Sequence, residues 1–320
     1  LMSEHRHLLV LFNTILLLML IPFGTDNNTG NRSWLDFPIL PFNIQAAEIC
    51  KISFILIMAS VMAAHQNRLS SIPSVAHMVL HLILLVGLNM VLSKDAGVSL
   101  IFVFIFIGMA FAGGVKLIWF LLAGGGIVLA FPVLWNYVMD DYQKLRIEAL
   151  FRPELDPNGT GVRYDIVRIL RSLTGGGMTG QGLFQGNRTQ IGALPAQHTD
   201  YIFSVIGEEL GYLACIGVIL LLFLIVARCF WVGMRSPDYM RRLICFGTAS
   251  ALIFQIVINV GMCFGVMPVI GLTLPFISYG GSSLVSMYAM MGLVSGVFAR
   301  PAPASHERYI RPPYGIKPIR

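Results

Sequence analysis

Asp200, Ser204 and Glu208 recur every four residues where a polar loop, Leu194-Pro-Ala-Gln-His-Thr-Asp200, runs into an apolar stretch. On a helix that spacing projects all three from one face, so the sequence predicts two carboxylates stacked along one side of a membrane span. Desolvation raises a carboxyl pKa. A carboxylate so tuned at a bilayer surface suits general-base removal of a proton from a sugar hydroxyl. Asp200, following Thr199, also reads as a helix N-cap, where an acidic group suits the dipole. Glu208 and Glu209 lie two turns deeper, where ionisable groups are costly, and that depth weighs toward function.

Three further groups could take part. Gln45-Ala-Ala-Glu48-Ile-Cys-Lys51 puts Glu48 and Lys51 three residues apart, close enough to pair. At an exposed helix surface such a pair contributes only about 0.2–0.5 kcal/mol, and it reads equally as an interfacial salt bridge or a functional pair. Asp95, in Lys94-Asp95-Ala96, fits a hairpin turn or cap as well as a site. Lys144, Arg146, Arg152 and Arg188 lie among Gly-rich turns in a long polar stretch. Arginine forks and Gly-rich nests both suit a diphosphate, although Gly175–Gly177 lacks the Lys-Ser/Thr of a nucleotide loop.

The segment Pro268–Ser283 is apolar yet broken by Pro and Gly. It cannot be a regular helix, and irregular backbone at membrane depth survives only where protein or a water-filled cavity satisfies it. This predicts a re-entrant loop beside Asp200, which brings Ser278 and Tyr279, with His198 opposite, into the candidate substrate-binding set alongside the loop cations, Asp95 and Glu208. The five cysteines form no C-x-x-C pair and sit in apolar surroundings, which favours packing over metal or disulfide roles. No metal-ligand set is assigned, and a divalent cation on a diphosphate stays open.

These residues need a membrane scaffold. With 56% hydrophobic and 12% charged residues, and a mean hydropathy of +0.75, the chain is too apolar for a soluble domain. Nucleic acid is not implied. Predicted spans cover Leu8–Phe23, Ile44–Ala64, Val75–Ser93, Gly97–Ala112, Leu117–Val138, Tyr201–Ala227, Leu243–Phe264 and Ser282–Phe298, each near the ~20 residues that cross a bilayer core. The expected fold is therefore an all-α polytopic membrane protein of about eight transmembrane helices: one domain over 1–300, a long loop over about 139–199, and a basic tail over 301–320. One face receives Arg6, Arg68, Lys116, Arg228, Arg235, Arg241, Arg242 and the tail cations, the other only Arg32, Lys51 and Lys94 in short loops. The positive-inside rule then makes both termini cytoplasmic and the long loop and Asp200 extracytoplasmic.

Six ordered motifs carry a resemblance: Arg32-Ser-Trp34 with Gln45-Ala-Ala-Glu48-x-x-Lys51; Lys94-Asp95-Ala-Gly-Val-Ser99; Asp141-Tyr-Gln-Lys-x-Arg146 leading to Asp156-Pro157; Gly180-Gln-Gly-Leu-Phe-Gln-Gly186; Leu194-Pro-x-x-His-Thr-Asp200 with Glu208-Glu-Leu-Gly211; and Pro275-Phe-Ile-Ser-Tyr-Gly-Gly281. In these the chain, from about Gly30 to Phe298, resembles the SEDS family (shape, elongation, division, sporulation) of bacterial cell-wall polymerases. The Asp-Tyr-Gln segment and the Gly-Leu-Phe-Gln-Gly run resemble its elongation branch. The resemblance implies a peptidoglycan glycosyltransferase that polymerises lipid II, an undecaprenyl-diphosphate-linked precursor, on the outer face of the cytoplasmic membrane, with a class B penicillin-binding protein as partner. It implies Asp200 as the base for the acceptor hydroxyl, and Glu48 with Lys51 as a functional pair. The family fold has ten spans. By loop order this chain starts at the third, and Leu1 fits a truncated start. Two departures stand out: Ala46-Ala47 replaces a Pro-Ser pair before Glu48, and Ala196 replaces a Glu before His198. The competing expectations are a lipid flippase or transporter with Glu208 and Glu209 as an ion relay, and a non-catalytic scaffold of the cell-wall complex.

Overall fold

A computed structural model describes residues 6–25, 32–36, 43–139, 141–161 and 163–299. The expected tail, 301–320, lies outside the described residues. The helices are α1 (Arg6–Leu18), α2 (Leu20–Phe23), α3 (Ala46–Ala64), α4 (Ile72–Leu92), α5 (Ala96–Gly113), α6 (Leu117–Val133), α7 (Asp141–Phe151), α8 (Tyr164–Gly175), α9 (Asn187–Gln190), α10 (Ile202–Arg235), α11 (Tyr239–Cys263) and α12 (Gly281–Ala299). Among the described residues eight helical stretches are long and apolar enough to cross a membrane, α1 with α2 and α6 with its π-helical extension counting as one each. The protein is an all-α, multi-pass membrane protein, as the apolar runs predict.

The only strands among the described residues are two residues long: β1 (Gly24–Thr25), β2 (Trp34–Leu35) and β3 (Ile44–Gln45), an antiparallel meander. Arg32 ties it to the end of α2, its Nε donating to the Gly24 carbonyl at 2.8 Å and its Nη2 to that of Ile21 at 3.2 Å. Because β3 leads directly into α3, the meander fixes where α3 begins.

Two helices form the centre. α3 buries most of its residues on all sides, and α11 packs against α3, α5, α10 and α12. Such helices gain little from hydrophobic exclusion in lipid and associate through close packing, which favours small residues at the contacts. Gly108 of α5 meets Ser250 of α11 so closely that any Cβ would overlap the serine hydroxyl. Phe54 of α3 and Phe102 of α5 pack edge to face with ring centroids 5.5 Å apart. α6 is the opposite case, with no buried residue along its length.

The polar stretch after α6 is more ordered than its composition suggests. It holds α7, α8 and α9, and α8 is amphipathic, laying Ile166, Ile169 and Leu173 against α10 and α11. Asp156 organises the turn before α8: its carboxylate accepts the backbone N–H of Thr160, Gly161 and Arg163 at 2.8–3.1 Å. Desolvation works to raise its pKa, but those N–H groups outweigh it and hold the carboxyl below the ordinary value.

The span after the loop also departs from expectation. α10 runs to Arg235 rather than Ala227 and is broken at Gly211, with φ +79° and ψ −179°. A break at this depth strands backbone groups that lipid cannot satisfy. The loop supplies the missing partners. Gln181 and Gly182 donate to the Glu208 and Glu209 carbonyls at 3.0 and 2.9 Å, while Tyr212 and Leu213 donate to Gly177 and Met178 at 2.9 and 3.3 Å. A Cβ at Gly176 or Gly180 would overlap the carbonyls of Gly207 or Glu209. Gly176 and Gly180 therefore serve close backbone approach to α10.

Candidate active site

Asp200 lies in a turn that folds back at Ala196, whose carbonyl accepts the Thr199 and Asp200 N–H groups at 3.1 Å. Tyr201, not Asp200, is the N-cap of α10, and no side chain caps that end. The stacked carboxylates predicted from the four-residue spacing are thus not formed: Asp200 precedes the helix, whereas Ser204 and Glu208 are fully buried within it. Burial pushes the Asp200 pKa up to about 6, opposed by the Thr199 hydroxyl and reinforced by the charge of Asp95.

The segment from Gly265 to Gly280 is non-helical, as its Pro and Gly content predicts, and it folds beside this turn. Tyr279 donates its N–H to the His198 carbonyl at 2.8 Å. The Ser278 hydroxyl donates to the Thr199 carbonyl at 2.5 Å and accepts the Leu274 N–H at 2.7 Å. Gly271, at φ +66°, lies close enough to Asp200 that a Cβ there would sit 3.5 Å from Oδ2. The buried side chain of Asn259 on α11 clamps both segments, its Nδ2 donating to the Asp200 carbonyl at 2.8 Å and the Leu272 carbonyl at 2.6 Å. Sequence reasoning missed Asn259; its signal was a lone amide deep in an apolar helix, which asks for a backbone partner.

Asp95, just before α5, lies close enough for its charge to act on Asp200. It caps α5, Oδ1 accepting the Val98 N–H at 3.0 Å, and Oδ2 accepts the Ser33 hydroxyl at 3.3 Å. Burial raises its pKa despite these bonds, and the charge of Glu48 adds to the rise. Gly97, two residues on, presses against the re-entrant segment: a Cβ there would come within 2.6 Å of the Ile270 carbonyl. One end of the bundle therefore gathers Asp95, the re-entrant segment and Asp200.

Glu48 and Lys51 do not form an interfacial pair. They are buried on α3, with Lys51 Nζ 2.6 Å from Glu48 Oε2 and 3.4 Å from Gln255 Oε1 of α11. Ser286 of α12 donates to the same Glu48 oxygen. The pair thus joins three helices, and Lys51 drops out of the loop-cation count.

The four loop cations separate. Arg146 on α7 reaches the re-entrant segment, Nη1 donating to the Val269 carbonyl at 3.2 Å, and its charge is felt at the buried Tyr201. Lys144 lies 3.5 Å from Asp141, and Arg152 is exposed. Arg188 gives its backbone N–H to Glu208 Oε1 at 2.6 Å, and its Nε is buried with no hydrogen-bond partner among the described residues. Glu208 also accepts the Thr189 hydroxyl at 3.1 Å, while Glu209 accepts the Phe184 N–H at 3.1 Å and Gln190 Nε2 at 3.4 Å. Both glutamates are spent holding the loop. His198 and Tyr279 leave their side chains exposed beside the Asp200 turn, with Ser278 buried beneath.

Fold and site together define a multi-pass α-helical membrane protein with two desolvated carboxylates, Asp95 and Asp200, at one end of the bundle beside a non-helical segment. A family model described as cell cycle protein, FtsW/RodA/SpoVE, matches residues 2–300. The chain belongs to this family, the SEDS family that its motifs resemble. It is 33% identical over 287 residues to the peptidoglycan glycosyltransferase MrdB of Escherichia coli K12, covering 88% of this chain and 75% of that protein. It is 35% identical over 286 residues to a probable peptidoglycan glycosyltransferase FtsW of Trichlorobacter lovleyi, covering 89% and 73%. Among solved structures it matches a chain of a peptidoglycan synthase complex that coordinates polymerization and crosslinking, with a TM-score of 0.74, 32% identity and coverage of 92% and 80%. It also matches the rod shape determining protein RodA of Thermus thermophilus, with a TM-score of 0.62, 28% identity and coverage of 91% and 77%.

Proposed function

We propose that this protein is a peptidoglycan glycosyltransferase that polymerises lipid II into glycan strands during cell elongation, with Asp200 as the general base. The observation that carries the reading is the Asp200 carboxyl, raised by burial to about 6 and set beside the re-entrant segment, in a chain one-third identical to named peptidoglycan glycosyltransferases. At neutral pH such a group is mostly ionised yet more basic than an ordinary aspartate, which suits it to accept a proton as an acceptor hydroxyl attacks a glycosyl diphosphate. Arg146, bound to the re-entrant segment, is the cation best placed to face the diphosphate; the partly exposed Arg188 is a second. Glu48 and Lys51 act by holding α3 to α11 and α12, helices that in turn carry Asn259 and the end of the re-entrant segment.

In this reading residues 1–300 act as one transmembrane unit, 301–320 form a cytoplasmic tail, and Asp200 faces the exterior. Removing Lys51 from the loop cations leaves only Arg32 and Lys94 on the outer short loops, which strengthens the charge asymmetry. A class B penicillin-binding protein is the proposed partner. An ion relay through Glu208 and Glu209 would require breaking the bonds that hold the loop in the α10 break, so transport is not favoured. Incubating the purified chain, alone and with that partner, with labelled lipid II and resolving products on a gel tests the proposal. Glycan ladders with the wild type and none with Asp200→Ala are expected; ladders of equal intensity from both would remove Asp200 from the chemistry.

A further inference from the structure

The opposite end of α10 carries a feature with no part in this chemistry. Gly217, Leu221, Leu224, Arg228, Trp231 and Arg235 follow one another at intervals of four and three residues, so they share one face of the helix. The upper part of that face is apolar and open: Leu221 and Leu224 are 62% and 53% exposed, and a Cβ on Gly217 would meet nothing within 4 Å. The lower part is cationic. The Arg228 guanidinium stacks 4.2 Å from the Trp231 ring and 4.6 Å from Phe298 of α12, and that of Arg235 lies 4.0 Å from the same indole.

Neither arginine forms an ion pair among the described residues. Arg228 stands just past the apolar run that ends at Ala227, and Arg235 lies seven residues, about 10 Å, further along the helix. Asp238, in the turn that follows, directs Oδ1 to the Arg241 N–H at 2.9 Å to cap α11. Arg242, exposed on α11, adds further positive charge at this end. Stacking on indole holds a guanidinium by its face and leaves its N–H edge for an acceptor. An aromatic ring between two arginines at the end of an apolar span is also where lipid headgroups lie.

We propose that this face binds one anionic phospholipid of the leaflet opposite Asp200, its phosphate held by Arg228 and Arg235 and an acyl chain lying along Leu224, Leu221 and Gly217. Two cations with no carboxylate between them select a lipid with net negative charge over a zwitterion, whose own ammonium cancels the phosphate. The inference is independent of the glycosyltransferase reading, because it needs no group near Asp200.

Native mass spectrometry of the detergent-purified full chain, titrated with phosphatidylglycerol or phosphatidylcholine of the same acyl chains, tests it. At about 1 kcal/mol per arginine, phosphatidylglycerol should bind about 10–30-fold more tightly. Arg228→Gln with Arg235→Gln should abolish that preference, while Arg228→Lys with Arg235→Lys, which keeps the charge, should retain most of it. Equal binding of the two lipids by the wild type overturns the proposal even if the glutamine variant fails to fold. So does a folded glutamine variant that keeps the preference, or displacement of phosphatidylglycerol by inorganic phosphate at equal phosphorus.

Discussion

Replacing Lys51 by Met tests whether the Glu48–Lys51 pair holds the bundle together. Both side chains are buried, Lys51 completely, with charged atoms 2.6 Å apart. After Lys51→Met the Glu48 carboxylate keeps only the Ser286 hydroxyl, and after Glu48→Gln the Lys51 ammonium loses its ionic partner and keeps the Gln255 oxygen. Removing one partner of a buried pair costs about 3–5 kcal/mol, because the survivor is left charged without compensation. Replacing both together is far milder, and Glu48→Gln with Lys51→Met should lie within about 1–2 kcal/mol of wild type, a large coupling in a double-mutant cycle. Equilibrium unfolding in mixed micelles with rising dodecyl sulfate measures stability, and ladder formation on lipid II measures activity. Both should fall in the single variants and recover together in the double. Single losses below about 1 kcal/mol, the range of exposed pairs, would refute the buried-pair account. Stability that returns without activity would refute the positional role and place one of the two groups against substrate.

Three further outcomes follow from particular contacts. Glu208→Gln keeps an acceptor for the Arg188 N–H and the Thr189 hydroxyl but removes its charge; limited proteolysis of the 181–190 loop should accelerate, while lipid flipping in liposomes should not depend on the substitution. Gly180→Ala puts a Cβ into the Glu209 carbonyl at φ +81°, and a thermal unfolding scan should show a loss of at least about 1–3 kcal/mol. Asn259→Ala orphans the Asp200 and Leu272 carbonyls, each worth about 1–3 kcal/mol when buried without a partner. Polymerisation kinetics should show kcat falling more than KM rises, since the Asp200 turn shifts while the rest of the substrate surface remains.

The number and positions of the spans were legible because each is a long apolar run, and the re-entrant segment was legible because Pro275 and Gly271 forbid a regular helix there. Asp200 stood out as an acid where a polar loop meets a span. The geometry behind it was less visible. Four-residue spacing placed Asp200 above Glu208 only on the assumption that the helix begins before Asp200; the turn at Ala196 removes it from the helix. Glu208 and Glu209 looked functional because buried acids are costly, but long-range bonds to Arg188, Thr189 and Phe184 satisfy them. Nothing local in the sequence announces those partners. The run Gly175–Gly182 was read for anions because glycine permits any close backbone approach, and sequence alone does not say to what. Glu48 and Lys51 were correctly paired by spacing, but their burial depends on α11 and α12, nearly two hundred residues or more further along the chain.

The pH dependence of polymerisation tests the role of Asp200 most directly. Burial raises its pKa to about 6, and a general base must be ionised, so activity should rise with pH through that value and level off above it. Below it the initial rate at saturating lipid II should fall about tenfold per pH unit. In Asp200→Glu that limb should move while some activity persists. A wild-type rate that stays flat from about pH 5 to 7, or a limb left in place after Asp200→Glu, would contradict the assignment of Asp200 as the base.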